Sequence, residues 1–63
     1  MSKQTFESKI SAALGRIVHA ENIWENGREV LEIRANGYRF RPMNGKIAAQ
    51  RIGSRNWLVG VAA

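Results

Sequence analysis

The chain has 63 residues, no cysteine and a formal net charge of +5. That length supports one small hydrophobic core, burying only about 60% of the unfolded surface, and the missing thiols exclude a disulfide framework or a thiolate zinc site. Ten Lys and Arg, seven of them Arg, stand against five Glu and no Asp, a balance that favours anionic partners, nucleic acid first and acidic protein surfaces second.

Met1-Ser2-Lys3-Gln4-Thr5 leads straight into amphipathic sequence without the apolar stretch of a signal peptide. The longest apolar run, Trp57 to Ala63, is far short of the roughly 20 residues of a membrane span. No membrane partner is expected, and a cytoplasmic location is.

The first predicted element is an amphipathic helix over about residues 4–20. Phe6, Ile10, Ala13, Leu14, Ile17 and Ala20 recur at steps of three and four, which places them on one arc. Ser2 or Thr5 caps its start, and Asn22 with Asn26-Gly27 marks its exit. Ser8, Ser11, Ala12 and Gly15 make a face of short side chains open to close packing, with a second copy of the chain as one partner.

Beyond the helix the period changes to two. Glu29 to Ala35 and Tyr38 to Pro42 read as strands around Asn36-Gly37, a pair suited to the two positive φ angles of a type I′ turn. Asn44-Gly45 repeats the device before Lys46 to Ile52, and Gly53-Ser54-Arg55-Asn56 turns the chain into a last strand from Trp57 to Ala62. Ile23-Trp24 is a candidate for one strand more. The expected architecture is α+β, with the helix packed on a four- or five-stranded antiparallel β-meander over about residues 28–62, in one domain spanning 1–63.

Catalysis has little to work with. His19 is the only histidine, no Gly-rich phosphate loop or Ser elbow is present, and the glutamates are scattered, with Glu29 and Glu32 in an arginine-rich strand where ion pairing is the simpler use. His19 and Glu21 sit two apart, which on a helix points them in different directions. No enzyme, no metal site and no cofactor is expected, and His19 is placed near the helix C-terminus.

The arginines carry the functional expectation. A two-residue turn at Asn36-Gly37 sets Arg34 opposite Arg39, Ile33 opposite Phe40 and Glu32 opposite Arg41. Arg34, Arg39 and Arg41 then share one face with Glu32, and like charges facing each other on a sheet invite an anion. With Lys46, Arg51 and Arg55 they form a candidate surface for the nucleic-acid backbone. Tyr38 and Phe40 fall on the opposite face, where the helix is expected to claim them for the core, so contact with a duplex backbone is preferred to single-strand stacking. The alternative is a protein-binding module, an inhibitor or adaptor, acting through its sheet edge and apolar C-terminal strand. Leu58, Val59 and Val61 are the candidate self-association residues, and a homodimer is expected because a core this small is marginal on its own.

Overall fold

The computed structural model describes residues 1–61. One helix, α1 (Lys3–Leu14), precedes β1 (Glu21–Glu25), β2 (Arg28–Ala35), β3 (Tyr38–Met43), β4 (Lys46–Arg51) and β5 (Trp57–Val59). The strands form one antiparallel sheet in the order β1-β2-β3-β4-β5, so the α+β meander has five strands and begins at Glu21 rather than near residue 28. The expected residue Ala62 lies outside the described residues.

Ser2 caps α1, its hydroxyl accepting the Thr5 N–H at 3.1 Å. The helix ends at Leu14, well before residue 20, because Gly15 takes φ +71 and closes the C-terminus. The N–H groups of Gly15 and Arg16 both donate to the Ser11 carbonyl, satisfying an acceptor that the last turn would otherwise leave open. Ile17, counted on the apolar arc by its spacing, is 81% exposed. The connecting segment is tied back by side chains. Ser11 Oγ accepts the Val18 N–H at 3.0 Å, and Glu7 accepts the Ala20 N–H at 2.6 Å. Ser11 thus ties the connection to the helix and Gly15 closes it, while Ser8 and Ala12 are exposed beside them. His19 sits in this segment, exposed, with Nδ1 3.7 Å from Glu7 Oε2, and not on a helix terminus.

The core gathers Phe6 and Ile10 of α1, Val18 and Ala20 of the connection, Ile33 of β2 and Ile47 of β4. Alternation along paired strands puts Leu31, Ile33, Ala35, Phe40, Ala49 and Leu58 on the helix-facing side. The other side carries Glu32, Arg34, Arg39, Arg41, Ala48, Gln50, Trp57 and Val59 by the same register.

Three hairpins turn on Asn-Gly. Asn26, Asn36 and Asn44 have φ of 53, 54 and 52, each followed by glycine at positive φ, which is the type I′ pattern that matches strand twist. Asn26-Gly27 therefore joins β1 to β2 instead of ending the helix. Gly37 has φ +79 and open space where a Cβ would sit, so Gly37→Val meets backbone strain and no clash. The expected cost is roughly 1–3 kcal/mol, or about 4–8 °C in Tm per kcal/mol for a domain of this size. A thermal melt in which Gly37→Val falls within a degree of the parent would contradict this turn assignment.

β2 serves two neighbours with different halves. Its first five residues pair with β1, while only Ile33, Arg34 and Ala35 pair with β3. Extending that register sets Pro42 opposite Leu31, where it has no N–H to give. The strands part there around a cleft of about 250 Å³ lined by Arg28, Val30, Leu31, Arg41, Pro42 and Met43.

Candidate nucleic-acid interface

The hairpin register expected from Asn36-Gly37 is present, with Arg34 opposite Arg39 and Ile33 opposite Phe40. Two long cations facing each other repel, and a carboxylate within the chain offsets that repulsion. Glu32 is completely buried and accepts from Arg34 Nε at 2.7 Å and from Arg41 Nε at 2.9 Å. Arg41 also clasps Glu25 of β1 with both terminal nitrogens, one of them at 3.1 Å, and its guanidinium lies 5.2 Å from the centre of the Trp57 ring.

Arg41 is thus the hub joining β1, β2, β3 and β5. Its side chain is 11% exposed, leaving little of it to meet a ligand. The hydrogen bonds that Arg41 donates to Glu25 and Glu32, opposed by burial, hold its guanidinium firmly charged. The Arg41 hydrogen bond lowers the Glu25 pKa from the ordinary 4.5 against a smaller opposing effect of desolvation, with further help from the charges of Arg41, Arg39 and Arg28.

This depression has a pH consequence. A carboxyl whose folded pKa lies below its unfolded value adds stability that is fully present above the unfolded value and lost as pH falls through the folded one. The contribution of Glu25 is therefore complete above pH 4.5 and fades on acidification below it. Urea melts from pH 7 down to pH 3 should show a stability loss in Glu25→Gln that is smaller than in the parent. Equal losses in the two proteins would contradict the assignment.

The other cations are less engaged. Arg34 keeps a side chain 55% exposed beside its bond to Glu32. Arg39 makes no ion pair among the described residues and stands opposite Gln50, whose buried Oε1 has no hydrogen-bond partner. Lys46 is exposed at the start of β4 on the same side of the sheet, opposite Met43. Arg51 is exposed opposite Tyr38, which puts it on the helix-facing side, and Arg55 is exposed in the loop before β5. The six predicted cations therefore do not share one face: Arg34, Arg39, Arg41 and Lys46 do, while Arg51 and Arg55 sit around the sheet's end.

Arg16 joins this group unforeseen. Its Nη2 donates to Asn36 Oδ1 at 3.0 Å, bringing a cation from behind the helix cap to the tip of the β2–β3 hairpin. The cap at Gly15 was the available signal, because a residue just past a helix end is free to turn back over the sheet.

The charge is divided along the chain. All five glutamates lie between Glu7 and Glu32, whereas residues 33–63 hold Arg34, Arg39, Arg41, Lys46, Arg51 and Arg55 and no acid. In space the acids occupy α1, β1 and the first part of β2, while β3, β4 and β5 carry only cations.

On the helix-facing side the early helix end leaves an apolar groove of about 320 Å³ between Leu14, Tyr38, Phe40, Ala49, Leu58 and Val61, with Asn36 at its edge. Leu58 and Val59 are exposed on the last strand, but Val61 is half-buried against the core and donates its N–H to the Ile47 carbonyl. Among the described residues there is no cluster of His, Asp and Glu able to hold a metal ion and no helix long and apolar enough to cross a membrane. No protein-family model matches the chain, and neither any curated protein nor any solved structure does.

Proposed function

We propose that the protein is a non-enzymatic binding protein that contacts the nucleic-acid backbone through the arginine-bearing β2–β3 ribbon and the cations beside it. The carrying observation is the segregation of charge, with every glutamate at or before residue 32 and only cations after it. Arg39, Lys46, Arg51 and Arg55 make no ion pair among the described residues, so their charge is left to attract phosphate over a distance and, at the arginines, to hold it by paired N–H donors. Arg39, Arg51, Arg55 and Lys46 act as the phosphate contacts, with Arg34 in support. Arg41 acts from below, holding the ribbon in shape.

Such contacts position the protein without reading sequence. Replacing Arg39, Arg51 and Arg55 together by Ala should weaken binding to duplex oligonucleotides of different sequence alike. Counterion release makes the loss roughly tenfold per contact at about 0.1 M salt. Fluorescence anisotropy measures it, and a triple variant that binds like the parent would reject these contacts.

A second reading, a protein-binding or self-associating module, is favoured by Leu58 and Val59, which lie exposed on the edge strand β5. An open apolar edge templates pairing with another chain, either a second copy or an acidic protein surface. Complexes of this kind resist salt, whereas those held by phosphate contacts weaken steeply with it.

A further inference from the structure

We infer that the groove beside the β2–β3 hairpin accommodates an unpaired base of a single-stranded nucleic acid, with the flanking phosphates on Arg16 and Arg51. This rests on the proposed nucleic-acid reading and adds to its backbone contacts a site for an unpaired base. Tyr38 and Phe40 lie on the helix-facing side of the sheet together with Arg51, and single-strand binders join base stacking on aromatic rings to backbone charge beside them. A helix reaching residue 20 would bury those rings. α1 stops at Leu14, and the space it leaves is the groove.

The floor of the groove is aromatic and aliphatic. Tyr38 is 38% exposed and Leu58 is 62% exposed, and the Tyr38 and Phe40 rings stand 6.2 Å apart, tilted by 32°. A volume of about 320 Å³ falls at the lower end of sites for small flat ligands, which pair an apolar lining with a few polar groups. Asn36 supplies an amide at the edge and directs the Arg16 guanidinium to the same place. Arg51 stands directly across from Tyr38 on β4.

Charge selects the occupant. An apolar groove alone suits a peptide or a second copy equally well, but here its rim carries Arg16 and Arg51, and the strands that floor it, β3, β4 and β5, carry no acid. A ligand with a flat apolar part and an anionic thread satisfies floor and rim together. A nucleotide strand has both.

The test compares a dye-labelled oligothymidine of about ten nucleotides with an abasic strand of the same length and charge, in the parent and in Tyr38→Ala, Tyr38→Phe, Leu58→Glu and Trp24→Ala. The readout is the ratio of the two affinities, which cancels general charge effects. The base-bearing strand is expected to bind about tenfold tighter or more. That preference should collapse in Tyr38→Ala and Leu58→Glu, and persist in Tyr38→Phe and in Trp24→Ala on the far edge strand. Equal, salt-sensitive binding of both strands would overturn the groove assignment and leave backbone binding standing. Failure of both strands to bind at low salt would overturn the groove assignment, and failure of a duplex as well would overturn the backbone reading with it. A Leu58→Glu change that alters the sedimenting mass of the protein while the base preference stays intact would assign the groove to a second copy and overturn the inference.

Discussion

Replacing Glu32 by alanine is expected to cost about 3–5 kcal/mol, the range for removing one partner of a buried ion pair. Glu32 has no exposed surface and receives hydrogen bonds from two arginines. Its loss leaves Arg41, itself 11% exposed, with only Glu25 to answer its charge, and sets Arg34 against Arg39 with nothing between them. The two arms of the network should differ sharply. Arg34→Ala removes a side chain 55% exposed to water and should cost under about 1 kcal/mol. Urea unfolding of the two variants measures this asymmetry, and equal costs would show that Glu32 does not organise the sheet.

Phe6→Ala should be comparably severe, at about 3–5 kcal/mol. Only Phe6 and Ile10 of α1 are fully buried, with Leu14 partly so, so the helix is held to the sheet by very few side chains. Removing the larger one opens a cavity against Ile33 and Ile47 in a domain whose whole stability is of the order of 5 kcal/mol. The variant should be largely unfolded at room temperature by near-ultraviolet circular dichroism. A folded Phe6→Ala melting near the parent would mean that the helix contributes little to the core.

The strands from Arg28 onward were legible because each turn announces itself. Asn36-Gly37 and Asn44-Gly45 admit one register, and from it the facing of Arg34 and Arg39 follows. Asn26-Gly27 carries the same signature, yet it also suits a helix exit, and only the pairing of Ile23 with Val30 resolves it into a hairpin. The helix end was obscured by an accident of spacing. Ile17 and Ala20 continue the three-four rhythm, and the glycine that stops it reads equally as an interior residue or a cap.

The candidate site was legible in its register and not in its electrostatics. Glu32 could be set opposite Arg41 on the hairpin, but its complete burial depends on how the sheet closes over it. The clasp between Arg41 and Glu25 depends on β1, a strand that the sequence only suggested. Phe40 packs against the core as expected, while the exposed Tyr38 ring follows from the helix end, so one glycine changes both the extent of α1 and the surface available to a ligand.

The most direct test of backbone binding is the salt dependence of affinity for a short duplex, measured in the parent and in the variant lacking Arg39, Arg51 and Arg55. A plot of log K against log salt should fall linearly in the parent with a slope of about −0.9 for each phosphate contacted, and the variant's slope should be shallower by about 3. An affinity indifferent to salt, or a slope the triple variant leaves unchanged, would contradict the account.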